Sequence, residues 1–194
     1  ILLCEDTRRS LKLLNHLKIK KPLKSYHKFN EHSTVEKVIN EIQSGLVVGL
    51  ISDAGTPSIS DPGYLIVKIC IDNNIEVECL PGPTALIPAL AVSGLPSERF
   101  VFEGFLPVKK GRKTRLEELS NEKRTMIFYE SPYKLYKTLQ DFSNSFGPDR
   151  EISISKELTK IFESTTRGRI KDLMPEYENK KLKGEFVIVV KGLK

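Results

Sequence analysis

The sequence predicts an α/β protein in two parts, a parallel sheet followed by a mixed, partly antiparallel one, and three observations predict it. Up to Pro96, short apolar runs rich in branched residues alternate strictly with amphipathic helical stripes, the rhythm of a parallel sheet joined by helices. Two of those runs end in loops of small and turn-forming residues, Ser52 to Gly63 and Pro81 to Ala85. From Ser97 onward the rhythm breaks into strands, a hairpin and charged helices. At 194 residues the chain is long enough for one large domain or two small ones. The boundary is expected near Pro96, giving an N-terminal α/β domain over residues 1–96 and a C-terminal mixed α/β domain over residues 97–194, with a cleft between the halves.

Taken in order, Ile1 to Cys4 reads as a strand, and Asp6 or Thr7 caps a helix whose stripe is Leu11, Leu13, Leu14 and Leu17. Lys21-Pro22 ends that helix, and Tyr26 to Asn30 forms a short polar and aromatic stretch. Ser33-Thr34 caps a second helix that turns Val35, Val38, Ile39 and Ile42 inward and stops at Gly45. Val47 to Ile51 is a buried strand, the run after Gly63 to Asp72 a helix, Ile75 to Leu80 a strand, and Leu86 to Val92 an apolar helix. In the second half, strands are expected at Arg99–Pro107, Thr125–Glu130, Glu151–Ser155 and Gly184–Val190. Strand and hairpin elements are expected around Lys156–Lys160 and Arg167-Gly168, with helices at Gly111–Ser120, Tyr133–Phe142 and Ile170–Glu178. The chain opens without Met in what reads as mid-strand, so a preceding segment is expected.

Composition narrows the partners. No apolar run approaches the ~20 residues that span a bilayer, so no membrane association is expected. There is no leader pattern, and Cys4, Cys70 and Cys79 are scattered without metal-ligand spacing, which together predict a reducing, cytoplasmic setting. The net charge of +6 is concentrated in Arg8 to Lys28 and in Lys109-Lys110-Gly-Arg112-Lys113, a distribution suited to a polyanion as well as to a solvated face.

Several catalytic devices are missing. No Gly-x-Gly-x-x-Gly, phosphate-cradling Gly-Lys-Ser/Thr or Gly-x-Ser-x-Gly occurs, and His16, His27 and His32 do not space as metal ligands. What remains are acidic and small residues at strand ends: Glu5-Asp6, Asp53, Asp61, Gly82-Pro83-Thr84, Glu103-Gly104, Tyr129-Glu130 and Gly184-Glu185. Ends of this kind line ligand clefts in open α/β sheets, and small-residue loops let the backbone approach a flat polar ligand. That chemistry suits a nucleoside with an amino-acid tail better than a polyphosphate, without specifying it.

The run Ser52-Asp-Ala-Gly-Thr-Pro-Ser-Ile-Ser-Asp-Pro-Gly63, with Pro81-Gly-Pro-Thr-Ala85 and Ser93-Gly-Leu-Pro96, closely resembles the ribosomal RNA small-subunit methyltransferase I family. Glu5-Asp-Thr-Arg8, Phe102-Glu-Gly-Phe-Leu-Pro107, Tyr129-Glu-Ser-Pro132, Lys156-Glu-Leu-Thr-Lys160 and Lys183-Gly-Glu-Phe186 extend the likeness, in the family's order, over nearly the whole chain. The resemblance implies the tetrapyrrole-methylase-like fold, two α/β domains with S-adenosyl-L-methionine between them. It further implies 2′-O-methylation of a cytidine ribose in small-subunit (16S) ribosomal RNA, with naked RNA or the assembled 30S subunit as partner, and a homodimer. Two departures stand out: the family's opening Pro-Thr-Pro-Ile-Gly-Asn-Leu-like loop is not in this sequence, and Tyr133 stands where the family commonly has His.

By that resemblance, cofactor contacts fall on Asp53, Ala54, Gly55, Thr56, Ser60, Asp61, Thr84 and Ala85, and on Tyr129, Glu130, Leu158, Gly184 and Glu185. The plainer readings are that Asp53 and Asp61 cap turns, that Glu130 and Glu185 pair with basic neighbours, and that Tyr129 is core. A ribose hydroxyl must be aligned with the methyl group and relieved of its proton. Asp6 is the candidate base, with Glu5 and Glu130 as rivals, although capping a helix is an equal account of Asp6. Arg8 and Arg9 are expected on phosphates, Tyr26 and Phe29 on an unpaired base, and Lys109, Lys110 and Arg112 along the RNA. Two other readings compete: an enzyme of the same fold acting on a small molecule or a protein, and a non-catalytic RNA- or cofactor-binding module.

Overall fold

The strand Leu2–Cys4 (β1) lies at the centre of a three-stranded parallel sheet, between Leu23–Ser25 (β2) and Gly49–Ile51 (β3). Leu3 aligns with Lys24 on one side and Leu50 on the other. The computed structural model describes residues 1–193. The connections are the helices Thr7–His16 (α1) and Glu31–Gln43 (α2), and Tyr64–Asp72 (α3) follows β3. The apolar spacing of α2 puts Val35, Val38 and Ile39 on one stripe, which packs with Leu3, Tyr26, Ile66 and Cys70 into a single core cluster. Because all three strands run the same way, the segments that leave their carboxyl ends emerge on one edge: Glu5-Asp6, Tyr26 to Asn30, and the Ser52–Gly63 loop.

The strand expected at Ile75 to Leu80 does not form; that segment runs without regular structure. Its alternation is genuine, but a strand needs a neighbouring ladder, and no ladder joins it to β3 among the described residues. Conversely, β2 carries too little apolar character to be read from sequence, yet it pairs parallel with β1 over all three of its residues.

Ala85–Lys194 is a separate compact unit from Ile1–Thr84, so the break comes before the expected position at Pro96. The reason lies in the helix Leu86–Ser93 (α4), which packs on the sheet of the second unit, and in Pro96, whose carbonyl accepts the Thr125 hydroxyl at 2.6 Å. That sheet has five strands: Phe100–Phe105 (β4), Thr125–Glu130 (β5), Glu151–Lys156 (β6), Ser164–Arg169 (β7) and Phe186–Val190 (β8), in the order β4-β5-β8-β6-β7. Only β4 and β5 are parallel; the remaining pairs are antiparallel, as the broken rhythm predicts. Helices Arg112–Leu119 (α5), Leu135–Phe146 (α6) and Ile170–Leu173 (α7), with a 3₁₀ turn over Met174–Tyr177, complete the unit.

Both faces of this sheet are covered, which is why β5 and β8 read as continuous apolar runs. Met126, Phe128, Ile188 and Val190 face Leu139 and Phe142 of α6, while Ile127, Val187 and Val189 face Ala89 and Leu90 of α4. No helix among the described residues is long and apolar enough to cross a membrane.

Candidate functional site

In the first unit the site grows from the carboxyl ends of β1 and β3. The Asp6 backbone is extended, and its side chain caps α1 by accepting the Arg8 N–H at 2.9 Å. The same carboxylate takes a two-pronged bond from the Arg8 guanidinium, Nε at 3.0 Å and Nη2 at 2.8 Å. That guanidinium, then the backbone N–H, holds the Asp6 carboxyl down at about 2. The Asp6 N–H in turn donates to Asp53 Oδ1 at 3.3 Å, and Arg9 Nη1 lies 3.4 Å from Asp53 Oδ2. Two carboxylates and two guanidinia thus form one cluster across the ends of neighbouring strands. Glu5 is half-buried at the same turn.

The loop beyond Asp53 is bent throughout. The Ser52 hydroxyl donates to the Gly55 carbonyl at 2.9 Å, and Gly55, Ser58 and Ser60 all have left-handed backbones. Two of those three are not glycine, so the loop carries strain of the kind found where backbone groups are aimed at a ligand. The two small-residue loops meet: Thr56 Oγ1 donates to the Pro83 carbonyl at 3.0 Å. Ala54, Gly55, Thr56, Ser60 and Asp61 therefore belong to one half-exposed rim that reaches the Pro81–Thr84 segment.

In the second unit, register assembles the remaining candidates. Glu130 and Lys156 both align with Phe186, so the ends of β5 and β6 and the start of β8 share one edge. Tyr129, Leu158 and Ala85 pack against the α4-side cluster, with Phe102 and Phe105 edge-on to Tyr129 at 5.0 and 5.7 Å. At the same edge, Lys160 Nζ joins Glu157 Oε1 at 2.8 Å to Glu185 Oε2 at 2.9 Å. The Lys160 bond and the Glu185 N–H pull the Glu157 carboxyl below its ordinary range. Gly184 has φ +96°, and a Cβ there would lie 2.6 Å from the Glu157 carboxyl carbon, so a side chain at this position would strain the backbone and displace Glu157. Lys160 and Glu157 were not among the expected site residues; only the fold shows that they brace Gly184-Glu185.

Three expectations are corrected. Glu130 is no free base: its carboxylate is buried, accepting the Ser131 N–H at 2.7 Å and the Thr138 hydroxyl at 2.6 Å, and strand alternation turns it to the α6 face, away from Tyr129. Tyr26 is 1% exposed in the core of the first sheet, where burial pushes its phenol up to about 12, so it offers no ring to an RNA base. Arg112 is 14% exposed in its side chain and committed to Asp141 at 2.8 Å, Thr138 at 2.7 Å and the Pro107 carbonyl at 3.1 Å, so it holds α5 to α6 and leaves no donor fork for phosphate. Lys109, Lys110 and Phe29 are exposed.

Residues 1–174 match the family model for tetrapyrrole (corrin/porphyrin) methylases. The curated relatives include Ribosomal RNA small subunit methyltransferase I of Thermotoga maritima, 43% identical over 99% of this chain and 86% of that protein. The protein of the same name from Xylella fastidiosa strain Temecula1 is 47% identical over 97% of this chain and 70% of its own length. Among solved structures, a cobalt precorrin-4 methyltransferase of cobalamin biosynthesis superposes with a TM-score of 0.65 at 18% identity, covering 98% of this chain and 82% of that one. Uroporphyrin-III C-methyltransferase from Thermus thermophilus, complexed with S-adenosyl homocysteine, gives 0.61 at 16% identity, over 97% of this chain and 84% of the other. The structural matches establish the shared fold; the sequence agreement, carried across both units, makes the chain a member of the ribosomal RNA small subunit methyltransferase I family within the tetrapyrrole methylases.

Proposed function

We propose that this chain, a methyltransferase by family, moves the methyl group of S-adenosyl-L-methionine to the 2′-oxygen of a cytidine in small-subunit ribosomal RNA. The observation that supports the reading is the cluster of Asp6, Arg8, Arg9 and Asp53 beside the bent Ser52–Gly63 loop, in which we take Asp6 as the proton acceptor and Arg8 and Arg9 as the phosphate ligands. The residues present fit the donor: left-handed, small-residue backbone at Gly55, Ser58 and Ser60 presents amide and carbonyl groups without side-chain bulk. Within the second unit, Tyr129, Leu158 and Ala85 belong to one apolar and aromatic cluster, and the braced Gly184-Glu185 turn offers a close backbone approach of its own. When bound, S-adenosyl-L-methionine supplies a methyl already activated on sulfur.

The remaining work falls to the protein: binding the ribose, fixing its hydroxyl and receiving the proton. With Arg8 bonded to it, the Asp6 carboxylate is a very weak base. Arg8 is exposed, and a guanidinium exchanges readily from carboxylate to phosphate. An RNA phosphate that draws Arg8 away leaves Asp6 with its helix-cap bond alone and a higher affinity for the ribose proton. The Asp6 N–H keeps Asp53 tied to the end of β1 meanwhile. The reading also takes the enzyme to be a cytoplasmic homodimer, which sedimentation would check.

The test is transfer of tritiated methyl to small ribosomal subunits and to naked ribosomal RNA. The wild-type protein is expected to label a cytidine 2′-oxygen, and Asp6→Asn to lose about 10²–10⁴-fold in rate with cofactor affinity near normal. Label on a base or on protein would overturn the reaction, and unchanged turnover in Asp6→Asn would remove that residue from it.

A further inference from the structure

Between α5 and α6 the second unit carries an open groove of about 790 Å³ that the expected site residues only graze. Its rim is cationic: Lys109 and Lys113 stand on the α5 side, Lys134 and Lys137 on the α6 side. Its floor includes the buried side chain of Leu116, and Val108 stands exposed at its border. Five cations, counting Arg112, face two carboxylates, Glu117 and Asp141. Both carboxylates are already occupied, Asp141 by Arg112 and Lys137 at 2.8 Å each, and Glu117 by Lys113 at 3.7 Å. Lys109 and Lys134 have no ion pair among the described residues.

The charges run against local preference. The first turn of a helix favours acidic side chains, yet neither α5 nor α6 has one there. Placing lysines around both helix starts, facing each other across a groove, raises the self-repulsion of the fold, and the pairs Lys113–Glu117 and Lys137–Asp141 offset it only in part. Such a surface is stabilised by an extended polyanion whose charges repeat along its length.

Arg112 gives the groove a direction. Its Nη2 donates to Thr138 Oγ1 at 2.7 Å, and that hydroxyl donates to Glu130 Oε2 at 2.6 Å. The groove floor is thereby bonded to the end of β5, and Lys134 follows Glu130 by a single turn of chain, its N–H bonding the Ser131 carbonyl at 3.1 Å. Tyr133, at that junction, is 92% exposed.

We infer that the α5–α6 groove is a docking track for the phosphodiester backbone of an RNA strand, with Lys109, Lys113, Lys134 and Lys137 on its phosphates and Tyr133 stacking on a base where the strand leaves the groove for the carboxyl edge of β5. Arg112 and Asp141 act as the fixed floor that holds the two lysine rows apart. The inference rests on the RNA reading of the site and adds the surface by which the strand is held.

The experiment compares the full chain with the double variant Lys109→Glu and Lys134→Glu, and with a charge-matched control, Lys37→Glu and Lys180→Glu, each checked for an unchanged melting temperature. Binding of a labelled, mixed-sequence single-stranded oligoribonucleotide is measured against salt, alongside methyl transfer to small subunits. The groove variant is expected to bind about tenfold or more weakly, with the slope of log affinity against log salt reduced by about 1–2, while the control keeps both. Tyr133→Ala is expected to weaken binding with the salt slope unchanged, because stacking releases no counterions. Equal affinity and slope in the groove variant and the wild type would overturn the track. If the wild type transfers methyl and the groove variant does so with the same KM, the track falls and the proposed function stands. If the wild type binds RNA through the groove but methylates none, the track stands and the function falls.

Discussion

Asp6 shows how much one side chain can be asked to do. It caps α1, pairs with Arg8 and, through its N–H, reaches Asp53. Its carboxyl is depressed in the folded protein, so the stability it contributes is present above its ordinary value near 3.8 and is lost as pH falls toward about 2. Removing the guanidinium with Arg8→Ala leaves the helix-cap bond intact, because that donor is backbone. The Asp6 midpoint, followed by carboxyl-carbon NMR against pH, is therefore expected to rise from about 2 toward 3.8 without reaching it. A midpoint that stays near 2 would mean that the cap and not the ion pair sets the basicity, and would remove the exchange of Arg8 from the mechanism. Tyr26 teaches the reverse lesson at the same scale: an aromatic ring in a basic stretch looks like a stacking residue, but its neighbours on β1, α2 and α3 close over it.

At the scale of elements, the tie between α5 and α6 is the clearest case of a charged residue whose role reverses once its surroundings are known. Arg112 sits in a run of five residues of which four are cations, and only the fold separates it from Lys109, Lys110 and Lys113 by turning it inward onto Asp141. Arg112→Ala leaves Asp141 partly buried with Lys137 alone, and is expected to cost about 3 kcal/mol in denaturant unfolding. Loss of RNA affinity with unchanged stability would restore it to the phosphate-binding set. The Ile75 to Leu80 segment makes the complementary point. Its alternating pattern is a fair strand signal, but pairing is a property of two segments, and the ladder it would need is absent.

Across the whole molecule the two units differ in how their sheets are covered. In the second, all five residues of β8 are buried, and it is flanked by β5 and β6 with helices on both faces. In the first, β3 is a short edge strand whose three residues are all half-buried. Native-state hydrogen exchange should accordingly be slowest at Val187, Ile188 and Val189 and several orders faster at Gly49–Ile51, since local opening of a half-buried edge disrupts little packing. Comparable protection at the two places would show that the first sheet opens only together with the rest.

The α/β class, the change of rhythm after Pro96, the uninterrupted apolar strands and the small-residue loops were all legible in the order of residues, because periodicity and turn chemistry are local properties. The same local patterns placed Asp6, Asp53 and Tyr129 at strand ends. What the order of residues left open was decided by long-range geometry: which face of a strand Glu130 takes, whether Tyr26 and Arg112 see solvent, which unit α4 joins, and how Lys160 comes to brace Gly184 against Glu157. Each of these depends on a partner distant along the chain, and the free energy that selects it resides in the burial and pairing of both together.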